Sequence, residues 1–131
     1  MNTVLIIDDS KFLRVANERL LTREGYQVIG AHDGEEALHL ACGKLPNLII
    51  LDMLLPKLAG EDVLRQLKSN VSTSHIPVIV LSGMSQRNEE KLKSEGAAAF
   101  LEKGPLLKNP QLLLDAVKHC LANAMASGST A

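Results

Sequence analysis

Five residues of this sequence place ionic or nucleophilic side chains where polarity first interrupts an apolar run. Asp8 and Asp9 follow Val4 to Ile7, Asp52 follows Leu48 to Leu51, Ser82 follows Val78 to Leu81, and Lys103 lies just beyond Phe100 and Leu101. Each has an ordinary explanation on its own. An aspartate pair can end a strand or cap a helix, Asp52 can open a turn toward Pro56, Ser82 precedes Gly83 in a loop, and Lys103 can be a solvated surface lysine. Gathered in one crevice they amount to more. Three carboxylates would raise one another's pKa unless a cation sat between them, and an all-oxygen ligand set suits a hard ion such as Mg²⁺. A metal ion, a lysine ammonium and a hydroxyl can each take one peripheral oxygen of a phosphoryl group in transfer. In that chemistry Asp52 is the nucleophile, because an aspartate is ionised at neutral pH and needs no separate base.

Whether these residues meet depends on the elements that carry them. The runs Val4 to Ile7, Leu48 to Leu51 and Val78 to Leu81 are rich in β-branched residues and do not alternate with polar ones, as expected of strands buried on both faces. Weaker strands are expected at Gln27 to Ala31 and Ala97 to Leu101, each preceded by a glycine (Gly25, Gly96) in helix C-cap position. Helices fill the gaps. The first is expected to bury Phe12, Ala16 and Leu20, with Leu13 beside them, and the third Val63, Leu64 and Leu67. The fourth, Gln86 to Glu95, has only Leu92 to anchor it. The last has Asn109 as N-cap, Pro110 at its first position and an apolar face of Leu113, Val117, Cys120 and Leu121. Strand then helix, five times over, predicts an α/β flavodoxin-like (βα)5 fold: a five-stranded parallel sheet with helices on both faces. The order 2-1-3-4-5 puts the three most apolar strands inside, and ligands then bind at the carboxyl edge near the first and third strands. All five reactive residues stand at that edge.

The chain has 131 residues, enough for one domain with a full core, expected over 1–124 with a disordered tail at 125–131. Fourteen Lys and Arg against fifteen Asp and Glu leave no excess positive charge for nucleic acid or an anionic membrane. Three aromatics (Phe12, Tyr26, Phe100) make neither a base-stacking platform nor a cage for a flat cofactor. Cys42 and Cys120 read as small buried hydrophobes in a reducing compartment, and the four histidines show no ligand spacing. A cytoplasmic location is expected.

The sequence resembles the receiver domains of two-component response regulators over about Asn2 to Ala124. The likeness is carried by Ile6-Ile7-Asp8-Asp9-Ser10, Leu48 to Met53 with Pro56 and Gly60 downstream, Val80-Leu81-Ser82-Gly83, and Phe100-Leu101-Glu102-Lys103. It implies that Asp52 accepts a phosphoryl group from a histidine kinase or phosphotransfer protein. It further implies that Asp8, Asp9, Asp52 and the Leu54 backbone carbonyl hold Mg²⁺, and that Ser82 and Lys103 bind phosphoryl oxygens. Phe100 matches the family's switching aromatic, although plain core packing would also explain it. A downstream protein target is expected at the fourth helix, fifth strand and fifth helix. Such a protein is a regulatory phosphoacceptor that catalyses only its own phosphorylation and dephosphorylation.

Two departures stand out. Gly104 separates Lys103 from Pro105, where receivers typically run from lysine directly into proline, often through a cis bond. Leu54 and Met84 match the two positions that in receivers flank the path of the hydrolytic water, and they are apolar where the family often has polar side chains, which predicts slow self-dephosphorylation. Among rival readings, a phosphatase of the haloacid-dehalogenase kind would need an Asp two residues after the nucleophile, and Leu54 stands there. A flavin carrier would meet the carboxylates of Asp8 and Asp9 where a cofactor phosphate must sit. A phosphorelay intermediate, or a receiver cut from a longer regulator, is the nearer alternative to a stand-alone receiver.

Overall fold

The computed structural model describes residues 2–83 and 89–129, the side chains beyond Ala124 excepted. Five parallel strands, β1 (Thr3–Ile7), β2 (Gln27–Ala31), β3 (Leu48–Asp52), β4 (Val78–Ser82) and β5 (Ala99–Glu102), form one sheet in the order β2-β1-β3-β4-β5. The expected order holds. β3 and β4 are buried along their whole length, whereas β2 and β5 lie half-buried at the edges.

Alternate strand residues feed two cores, one on each face. On one side Leu5, Ile7, Ile49, Leu51, Val78 and Val80 pack with α2 (Gly34–Lys44), α3 (Gly60–Ser69) and α4 (Glu89–Ser94). On the other, Val4, Ile6, Leu48, Ile50, Ile79 and Leu81 meet α1 (Lys11–Arg23) and α6 (Gln111–Ser129). Fully burying such a side chain contributes about 1.5–3 kcal/mol, so the inner strands are the most strongly held part of the chain and can position residues at their ends. Local signals agree. Ser10 caps α1 by accepting from the Leu13 N–H, Asp33 caps α2 by accepting from Glu36, and Gly25 and Gly96 take the positive φ expected after a helix.

Three expectations need correction. Phe12 does not face the core. It is 81% exposed and Ala16 is exposed too, while Leu21 is buried and Leu13 and Leu20 are partly so. The inward stripe of α1 is turned by about one residue because its second half, not its first, packs under the sheet through Leu21. A short helix, α5 (Lys103–Lys108), intervenes between β5 and α6, so Lys103 opens a helix instead of lying in a loop. No cis peptide occurs among the described residues, so Gly104–Pro105 is trans. Lastly, Cys42 is exposed where burial was expected, although Cys120 is buried. The backbone of α6 runs on to Ser129. Three alanines between Leu121 and Ala126 give this stretch high helix propensity. The fourth helix, expected from Gln86, is described from Glu89, and Met84 lies outside the described residues.

Candidate functional site

β1 and β3 are neighbours with Ile7 paired to Leu51, so the next residues, Asp8 and Asp52, emerge side by side. One ligand oxygen from each of Asp8, Asp9 and Asp52 lies within 4.8 Å of the others. Asp8 and Asp52 are buried and Asp9 is exposed, which leaves the cluster open to solvent on one side. Ser82 ends β4, is buried, and pairs in register with Glu102, the residue before Lys103. The Lys103 ammonium meets Asp52 Oδ2 at 2.7 Å, spanning the sheet edge between residues 51 positions apart. Asp52 Oδ1 accepts from the Leu54 N–H at 3.1 Å, which ties the nucleophile to the β3–α3 loop.

Sequence reasoning therefore named five residues that the fold brings to one edge. Leu54 also stands there with its side chain 65% exposed, and a cavity of about 230 Å³ opens between Met53, Leu54, Ser82 and Leu92. Phe100 is partly buried against the core on the α2, α3 and α4 side. A larger cavity of about 660 Å³ lies at the opposite edge beside Asn2, His75 and Cys120, but no carboxylate lines it. Chemistry, not size, singles out the smaller site.

The electrostatics are uneven. Burial, with the Asp52 charge adding to it, pushes the Asp8 carboxyl up to about 6, against the opposing pull of the Ser10 N–H and the Lys103 ammonium. Among the described residues, three carboxylates gather here with the Lys103 ammonium on one of them. A divalent cation is what such a donor set is suited to take.

Three charged residues near this edge escaped the sequence reading. Arg14 donates from Nη1 to the Asp8 carbonyl at 2.7 Å. Lys57, with φ of 67° in the left-handed region that non-glycine residues avoid, sits 3.5 Å from buried Asp33, which also lies 3.2 Å from His32. The aspartate left a signal, an Asp-Gly pair ahead of a helix. The lysine left none.

Fold and site together define a parallel α/β protein with an acid-lined pocket and a lysine-paired aspartate at the carboxyl edge. The family model for the response regulator receiver domain matches residues 4–118. PleD, a response regulator of Caulobacter vibrioides, is 40% identical over 106 residues, 76% of this chain and 22% of that protein. DivK, the polar-differentiation response regulator of Brucella anthropi, is 32% identical over 102 residues, 77% of this chain and 83% of its own length. A histidine kinase of Formosa agariphila is 36% identical over 126 residues, of which this chain spans 9%. Among solved structures, a CheY-like receiver domain protein of Methanospirillum hungatei superimposes with a TM-score of 0.88 at 25% identity, covering 97% of this chain and 98% of its own. The chain belongs to the response regulator receiver family. It spans 22% of the length of PleD and 9% of that of the kinase. No described helix is long and apolar enough to cross a membrane.

Proposed function

We propose that this receiver accepts a phosphoryl group on Asp52 from a phosphohistidine of a kinase or phosphotransfer protein. The reading is carried by Asp52 itself, a buried carboxylate held between the Lys103 ammonium and the Leu54 N–H beside two further aspartates. Asp8, Asp9 and Asp52, with the Leu54 backbone carbonyl, are the groups that would hold Mg²⁺, and the raised Asp8 carboxyl fits a pocket whose charge a cation would balance. When bound, the ion would neutralise peripheral phosphoryl oxygens. The Asp52 carboxylate forms the new O–P bond as the P–N bond to the donor imidazole breaks, and the electron pair leaves with the imidazole nitrogen. Lys103 and Ser82 stabilise the phosphoryl oxygens, and the protein catalyses nothing beyond gaining and losing this group.

Contact of the phosphoryl group with Ser82 biases the packing of Phe100, α4, β5 and the last helix, which make the face for a downstream protein target. The apolar side chain of Leu54, like that of Met84 at the matching family position, cannot orient a hydrolytic water by a strong hydrogen bond, so the aspartyl phosphate decays slowly, which suits a lasting switch or a phosphorelay. Leu54→Asn, alone or with Met84→Glu, should speed that decay, and decay already fast in the parent would contradict the slow-switch reading. A direct test of the site is binding of beryllofluoride, followed by fluorine NMR. Binding should require Mg²⁺ and vanish in Asp52→Asn, and equal binding without Mg²⁺ would contradict the reading.

A further inference from the structure

Asp8 is held at three points, and each fixes a different part of it. Its N–H donates to the Ala31 carbonyl at 3.0 Å, and its Oδ1 accepts from the Ser10 N–H at 2.9 Å. Those bonds fix its backbone entry and its side chain. Its carbonyl accepts from Arg14 Nη1 at 2.7 Å, a charge-assisted bond from a side chain only 18% exposed. That carbonyl belongs to the planar peptide joining Asp8 to Asp9, so fixing it fixes the plane. Turning the plane would swing Asp9 while leaving the Asp8 carboxylate where it is.

The path of Arg14 is built into the sheet. Its side chain crosses β2 at Gly30, where a Cβ would lie 3.2 Å from Arg14 Cδ and 3.4 Å from Nε and would collide with Glu18 Oε1. Glu18, one turn further along α1, stands 3.9 Å from Arg14 Nε and balances its charge. The guanidinium thus meets a carboxylate on one side and a carbonyl on the other, and it is directed at the backbone behind the acidic trio.

We infer that Arg14 is a positioning residue for cation binding: by holding the Asp8–Asp9 peptide plane, it sets where the exposed Asp9 carboxylate stands relative to Asp8 and Asp52. The inference rests on the reading of that trio as a divalent-cation site. Gly30 serves the same end by leaving the corridor through which Arg14 reaches the carbonyl.

The test is calorimetric titration of Mg²⁺ into the parent, Arg14→Met, Arg14→Lys, Gly30→Ala, Asp9→Asn and the Arg14→Met plus Asp9→Asn double variant, with folding verified by circular dichroism. Arg14→Met should weaken binding roughly tenfold, as loss of a partner behind a metal ligand does. Arg14→Lys should recover part of the loss, and Gly30→Ala should weaken binding in the same direction by pressing on the Arg14 stem. In the Asp9→Asn background, Arg14→Met should add little, because the ligand it positions is gone. Parent-like affinity in both Arg14→Met and Gly30→Ala would overturn the inference, as would an undiminished Arg14 effect in the Asp9→Asn background. Should Arg14→Met fail to fold, Arg14→Lys and Gly30→Ala decide by the same criterion. A parent that binds no Mg²⁺ would instead remove the cation reading, and this inference with it.

Discussion

Asp8 shows burial and charge acting against each other in a single side chain. Its carboxyl is raised from 3.8 to about 6, first by burial and then by the neighbouring Asp52 charge. The folded state therefore holds this proton more tightly than the unfolded state, and ionising it destabilises the fold. The penalty is absent at low pH, grows between about 4 and 6, and is complete above that window. Without divalent cations, Asp8→Asn should stabilise the protein at pH 7.5 and have little effect near pH 4. Urea unfolding at the two pH values checks this, and an equal effect at both would refute it. For the same reason Mg²⁺ binding should tighten as pH rises through about 6, because Asp8 must give up its proton to bind the ion. At this scale the sequence shows the acids, Ser82 and Lys103 as a group and not singly, since each has an ordinary explanation alone and only the strand order sends all five to one edge. It does not show Arg14, whose partner is a backbone carbonyl and so leaves no complementary residue type to read.

The helices divide by how much of their packing is local. In α1, Phe12, Ala16 and Leu20 share a spacing that any amphipathic helix could use, and so do Leu13, Leu20 and Leu21. Only the fit against the sheet decides between them, and it buries Leu21. Leu21→Ala should cost about 2–5 kcal/mol in chemical unfolding, whereas Phe12→Ala should stay within about 0.5 kcal/mol. The reverse ranking would restore the face read from spacing alone. α4 was expected to be weakly anchored, and Leu92 is its buried apolar contact. What the sequence could not show is that Arg65 of α3 gathers Glu61, Asp62 and Glu95, while Lys91 of α4 reaches Glu61. Apart from half-buried Glu95 these groups lie toward solvent and the pairs are of small individual worth, so Arg65→Ala should change global stability by under about 1 kcal/mol yet speed amide exchange in α4. Unchanged exchange in α4 would show that Leu92 alone holds the helix.

At the scale of the whole molecule, the site is a consequence of topology. Placing β1 beside β3 and β4 beside β5 brings residues from the first ten positions, from the middle and from beyond position 100 to one edge. That much was legible because buried parallel strands announce themselves as continuous apolar runs and right-handed crossovers leave few ways to order them. The short α5 was not legible, since Gly104 and Pro105 argue for a loop and the helix there is only six residues long. If the sheet transmits occupancy of this edge, beryllofluoride with Mg²⁺ should alter amide exchange in α4, β5 and α6, and changes confined to the edge loops would mean a phosphate store without a switch. The central claim is that Asp52 is the phosphoacceptor. Incubation with a small-molecule phosphodonor and Mg²⁺, followed by reductive trapping of the acyl phosphate and peptide mass spectrometry, should mark Asp52 in the parent and leave Asp52→Asn unmodified. Modification at another residue, or equal labelling of the variant, would contradict the account.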